Sequence, residues 1–217
     1  MGLFITKLWT SPQEFFLIVL VVVFSICLHE FSHAYVALLL GDDTAAQQGH
    51  LTLNPLKQMG FLSILMFLFL GLAWGAVPVD EQRLRSKTPF GPLLVSLSGP
   101  FANFVLAVLA YCSFGLVQVF RPEGAPGNIM MNVLLLLFLF GVYNIVLMIL
   151  NLLPAPGLDG WAVARVLFPK MANGTSETLK GVMVFLIFAA FFCLHYLFSF
   201  GVMIMKTSYG VFYSLLN

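Results

Sequence analysis

Polar positions along this chain are few and clustered, and the apolar runs between them set the architecture. A helix that spans a bilayer takes about 20 apolar residues. The first such run extends from about Glu14 to Leu40, with Pro12 near its start and Gly41-Asp42-Asp43 closing it. A polar connector, GDDTAAQQGHLTLNPLKQMG (41–60), follows; its LTLNP core combines β-type residues with a proline-marked turn and predicts a short extended piece. Residues 61–79 are apolar but carry two glycines and a late proline, and lead into a charged loop, Asp80 to Lys87. Further spans are predicted at about Pro92 to Phe120, Met130 to Leu153 and, after a semi-polar stretch from Pro154 to Lys180, Gly181 to Met205. The pattern predicts an all-α polytopic membrane protein: about four transmembrane helices, one re-entrant or partly inserted segment (61–79), and a short β-like connector.

Composition agrees. Of 217 residues, 60% are hydrophobic and 9% charged, with a mean hydropathy of +0.99; a soluble domain carries about 25% charged residues. A net charge of +1 offers nothing to a polyanion, so no nucleic-acid partner is expected. Cys27, Cys112 and Cys193 all sit in apolar runs without C-x-x-C spacing and read as small buried hydrophobes. The first run flows on without a break, so it is not read as a cleaved signal peptide. We expect one membrane-embedded domain over 1–217, its core at about 14–170 and its last span at about 181–205, with no PDZ or CBS module.

The chemistry is concentrated in His29-Glu30-Phe31-Ser32-His33, an H-E-x-x-H motif at the end of an uncharged run. On a helix, residues i and i+4 share a face, so both imidazoles can reach one metal ion. Glu30 projects about 100° around the axis, beside the ion, where it can handle protons. An ionisable residue at membrane depth costs about 2.5–3.5 kcal/mol on insertion scales, which makes three in five residues hard to read as packing.

A catalytic zinc site usually takes a third protein ligand and keeps one position open. Among nine acidic residues, Glu14 lies at the wrong end of the first helix; Asp42, Asp43, Asp80, Glu81, Glu123 and Glu177 sit in hydrophilic loops where solvated charge is expected. His50 lies in the polar connector and His195 midway along the last span. Asp159 differs: it ends NLLPAPGLDG, where Pro154, Pro156 and Gly157 break the helix after an uncharged run. The competing reading is a helix N-cap. For one ion to bind His29, His33 and Asp159, the end of the first span and the end of the third must share a membrane side, which requires segment 61–79 not to cross. Lys57, Arg83, Arg85, Lys87, Arg165, Lys170 and Lys180 then fall on one side, with Lys7, Arg121 and Lys206 on the other. That bias places the metal toward the cytoplasm. A fully crossing 61–79 is the alternative topology.

Two amides complete the candidates. Asn151, at the helix break, can hydrogen-bond a substrate carbonyl or oxyanion, or cap freed carbonyls. Asn103 follows the small residues of Ser98-Gly99-Pro100, which allow close helix approach, and faces the bundle as a second substrate or oxyanion candidate.

HEFSH, SGPFANF and NLLPAPGLDG, in this order and membrane setting, resemble the site-2 protease family of intramembrane zinc metalloproteases, in particular its short, core-only bacterial members. The resemblance covers residues 29–160. It implies His29, His33 and Asp159 as zinc ligands, Glu30 as the catalytic residue, Asn151 as a substrate or oxyanion group, and a transmembrane protein as substrate in a bacterial cytoplasmic membrane. His50 stands where such connectors often carry arginine. The rival readings are a membrane metal transporter or metal-binding protein, and an inactive protease-like scaffold.

Overall fold

The computed structural model describes residues 3–120, 127–167 and 177–216. After a 3-10 turn (Phe4–Thr6) come α1 (Lys7–Thr10), α2 (Pro12–Leu39), α3 (Thr44–Gln47), α4 (Pro55–Gln58), α5 (Gly60–Leu70) and α6 (Glu81–Lys87). They are followed by α7 (Gly91–Val119), α8 (Asn128–Asn151), α9 (Gly160–Leu167) and a last helix, here α10 (Glu177–Leu216). Proline stands in the first turn of α2, α4 and α7, where its missing N–H costs nothing.

Helix α7 is the centre of the bundle and packs against α2, α8 and α10; α8 also touches α2 and α10. One apolar cluster joins α2 to α5 and α8 through Val21, Val22, Ile26, Phe67 and Leu139. A second joins α7, α8 and α10 through Ala107, Phe114, Val142, Ile145 and Met205. The outward faces are no less apolar: Phe16, Leu20, Phe101, Phe104, Phe188 and Phe192 are all exposed. Only a lipid surround makes such a surface stable. Helices α2, α7 and α8 are each long and apolar enough to cross a membrane, and the chain is an integral membrane protein. Helix α10 runs unbroken for 40 residues, about 60 Å, well past the predicted end at Met205.

Segment 61–79 turns back. Helix α5 has 11 residues, about 16 Å against a hydrocarbon thickness of about 30 Å, and Gly71 ends it at φ 77°. The chain then folds onto its own helix: Ser63 Oγ donates to Trp74 O (2.6 Å) and accepts from Trp74 N (2.9 Å). Ala76 N reaches Gln58 O at 3.1 Å, so the segment leaves and returns at one point. That bond removes the crossing alternative.

The connector corrects the sequence expectation. No strand occurs among the described residues; residues 51–54 run as bends and irregular backbone between two single-turn helices, α3 and α4. The LTLNP residues find no neighbouring strand edge to pair with. Instead Asn54 caps α4 by accepting from Leu56 N at 2.9 Å, and Gln58 Nε2 donates to the carbonyls of His50 and Thr52 at 2.8 and 2.6 Å. Asp42, expected as a solvated loop charge, is 0% exposed. It accepts from Thr44 N (3.1 Å), Thr44 Oγ1 (2.5 Å) and Asp80 N (2.7 Å), clamping the end of α2 to the start of α6. Burial pushes its carboxyl up, but these hydrogen bonds and the nearby Arg83 outweigh that and hold it below its ordinary value.

Candidate metal centre

His29 and His33 lie one turn apart on the buried face of α2. Asp159 arrives from the break after α8, where Gly157 takes φ 87° and Leu158 N bonds Ala155 O at 3.1 Å. A side chain at Gly160 would strike the carbonyls of Leu152 and Leu153, so only glycine lets this turn fold back tightly on the end of α8. His29 Nε2 lies 3.0 Å from Asp159 Oδ2, His33 Nε2 lies 3.2 Å from Asp159 Oδ1, and the two Nε2 atoms are 3.0 Å apart.

The outer nitrogens of both rings are already committed. His33 Nδ1 donates to the backbone carbonyl of Val95 at 2.7 Å, and His29 Nδ1 contacts Asn103 Oδ1 at 2.6 Å. With Nδ1–H in each ring, both Nε2 atoms present lone pairs to a carboxylate that has only lone pairs to offer. Asp159 Oδ2 is buried and receives no hydrogen bond. Three electron-rich atoms converging without a proton between them is a repulsive arrangement that a cation resolves. For a tetrahedral ion bonded at about 2.0–2.1 Å, donors stand about 3.3 Å apart, within a few tenths of the observed triangle. The residues fit a divalent metal, and among the described residues they form the group able to hold one.

Two glycines shape the walls. A Cβ on Gly99 of α7 would stand 2.5 Å from both His29 Nε2 and His33 Nε2, so α7 lies against the imidazoles with no room for a methyl. A Cβ on Gly75, in the returning strap after α5, would collide with the Glu30 carboxyl. Between them lies a cavity of about 350 Å³ lined by His29, Glu30, His33, Ala73–Val77, Asn151 and Asp159. A second cavity of about 470 Å³ lies beside it; they share Ile26, Ala73, Trp74, Leu147, Leu150, Gly157 and Leu158, and the second adds Phe67, Tyr143, Leu194 and Phe198 among others.

The remaining sequence candidates divide. Asn151 lines the metal cavity, half-buried, and its Nδ2 donates back along α8 to Leu147 O at 3.0 Å. Asn103 lines the same cavity and is fully buried; its Oδ1 contacts His29 and one Nδ2 hydrogen goes to Asn144 Oδ1 at 2.8 Å, which leaves a second amide hydrogen. His50 contacts Gln58 and His195 is exposed on α10; neither joins the metal triangle. Sequence reasoning passed over Asn144 and Ser25, whose 2.9 Å contact continues the chain of bonds behind His29. A lone amide in the middle of the apolar α8 and a serine one turn before His29 were the available signals.

The model of peptidase family M50 matches residues 15–122. YwhC of Bacillus subtilis (strain 168), a zinc metalloprotease by name, is 34% identical over 182 residues, which cover 78% of each chain. Rip2 of Mycolicibacterium smegmatis, also a zinc metalloprotease by name, is 38% identical over 144 residues, 63% of this chain and 51% of its own length. Rip2 of Mycobacterium tuberculosis (strain H37Rv) is 34% identical over 168 residues, 75% of this chain and 62% of its own. No solved structure matches.

Proposed function

The chain belongs to peptidase family M50, and on that premise we propose that it is an intramembrane endopeptidase whose zinc is held by His29, His33 and Asp159. The observation that carries this reading is the convergence of three uncompensated lone-pair donors beside the Glu30 carboxyl, inside a bundle with a lipid-facing exterior. Zinc bound there supplies Lewis acidity and lowers the pKa of water toward about 7.

The rest is done by the chain itself. Glu30, 7% exposed and roofed by the Gly75 strap, is kept from bulk water and takes a proton at its carboxylate for delivery to the leaving amine. The non-helical backbone after Gly71 is placed to offer the scissile segment an edge along which to lie unwound, since a helix hides its own carbonyls. Asn151 faces the same cavity with one amide hydrogen left over from its bond to Leu147, suited to a developing oxyanion. The adjoining apolar cavity suits the large side chains of a transmembrane substrate.

The orientation follows from charge. Lys57, Arg83, Arg85, Lys87 and Arg165 lie on the segments grouped around the site's end of the bundle, and Lys7 lies before α2, so the site faces the cytoplasm. The test is a purified pair. Glu30→Gln is expected to keep zinc stoichiometry and lose cleavage of a transmembrane reporter by about 10²–10⁴-fold. Asp159→Ala is expected to lose the metal. Undiminished cleavage by Glu30→Gln sinks the protease reading, and undiminished zinc in Asp159→Ala sinks the ligand set; metal flux insensitive to Glu30→Gln is the transporter's signature.

A further inference from the structure

Behind the metal triangle, four side chains and one carbonyl form a chain of hydrogen bonds that crosses three helices. Its far end fixes its direction. Phe140 O is a backbone carbonyl and can only accept, so the Asn144 atom 2.8 Å away is the NH₂ group, which also donates to Ser25 Oγ at 2.9 Å. Asn144 Oδ1 is thereby turned toward α7, where it accepts from Asn103 Nδ2 at 2.8 Å. That in turn points Asn103 Oδ1 at His29 Nδ1, 2.6 Å away. Ser25, Asn103 and Asn144 are each 0% exposed, so no water can substitute for a missing partner. His29 Nδ1 therefore carries the proton, and Nε2 keeps its lone pair for the metal.

We propose that Asn144, which touches neither metal nor substrate, is a positioning residue that sets zinc affinity by orienting the Asn103 amide and, through it, the tautomer and ring angle of His29. The proposal rests on the zinc reading above. Its logic is one of symmetry: an amide at 103 has a right and a wrong way round, whereas a carboxylate there presents an acceptor to His29 either way.

The experiment is a double-mutant cycle read by zinc affinity, measured with a competing chromophoric chelator on the full chain in detergent. Asn144→Leu is expected to weaken zinc binding by about 10–100-fold, the range for disrupting the groups that orient a metal-bound histidine. In the Asn103→Asp background, Asn144→Leu is expected to change affinity by less than about threefold. An equal loss in both backgrounds, or none in the wild-type chain, overturns the proposal. Unfolding midpoints of the metal-free variants monitor folding. If Asn144→Leu does not fold, Ser25→Ala enters the same cycle, expected to weaken zinc about threefold in the wild-type chain and not in Asn103→Asp; equal loss in both again overturns it. Failure of the wild-type chain to bind zinc is a different result, and it sinks the metal reading itself.

Discussion

Where α2, α7, α8 and the re-entrant strap meet, the buried polar groups are His29, Glu30, His33, Asn103, Asn144 and Ser25; where α7, α8 and α10 meet, the buried residues are Ala107, Phe114, Val142, Ile145 and Met205. Both ends use glycine, but for different reasons. Gly99 is pressed on two ring nitrogens that have hydrogen bonds on their other sides and cannot retreat. Gly201 of α10 faces Val142, and a Cβ there would meet its nearest atom at 3.3 Å, a distance that a small helix shift absorbs. The apolar end is specified by volume, which tolerates adjustment; the polar end is specified by direction, which does not. Gly99→Ala is accordingly the largest effect expected. Intrinsic propensity favours alanine in a helix by about 1 kcal/mol, yet the imidazoles must be driven apart, and zinc affinity should fall by at least about 100-fold. Gly201→Ala should leave zinc unchanged. Equal zinc binding by the two variants would erase the distinction between the ends.

The next effect belongs to Asp42, a polar group buried at the site's end but remote from the metal. Asp42→Asn keeps the shape and removes the charge that three donors share. We expect roughly 2–3 kcal/mol of destabilisation at neutral pH, visible as a lower unfolding midpoint in detergent. The sign with pH follows from a carboxyl held below its ordinary value of 3.8. The folded state binds its proton less readily than the unfolded one, so the stabilisation is present above about pH 4 and is lost as pH falls through the lower folded value. The gap between wild type and Asp42→Asn should therefore close on acidification.

How far the two ends could be read in advance also differs. The spans and the joining of His29, His33 and Asp159 followed from hydropathy, helical spacing and a ledger of nine acidic residues, because membrane depth makes every charge conspicuous. The return of segment 61–79 followed from the requirement that one ion be reached from two spans. What failed to show was whatever depends on partners across helices. Asn103 was legible as an amide at the bundle interior, but that its oxygen faces the back of His29 depends on Asn144, 41 positions away. Asp42 looked solvated because its sequence neighbours are polar, and its burial depends on Asp80 arriving from the far side of a re-entrant loop. The connector's β-type residues lacked a strand to join, which local propensity does not register.

The smallest expected effect tests whether the charged rim matters to the site at all. Arg165 of α9 donates to Glu81 of α6 at 2.7 Å, and Arg85 reaches the other Glu81 oxygen at 3.3 Å. The Arg165 hydrogen bond, more than anything else, holds the Glu81 carboxyl below its ordinary value of 4.5, so the pair's contribution is present above that pH and lost as pH falls through the lower folded value. The Glu81 side chain is 40% exposed and Arg165 35%, and ion pairs this wet contribute about 0–1 kcal/mol. Helix α9 starts at the residue after Asp159, so the pair also tethers the element that carries the third ligand. Glu81→Gln should lower the unfolding midpoint slightly, and 0.5 M salt should remove most of the difference as it screens the wild-type pair. Zinc affinity should move by less than about threefold, because Asp159 is held mainly by the Gly157 turn and the close packing at Gly160. A tenfold loss of zinc in Glu81→Gln would show instead that the third ligand is suspended from the rim, and the separation between a directional interior and a tolerant periphery would then fail at the site's own edge.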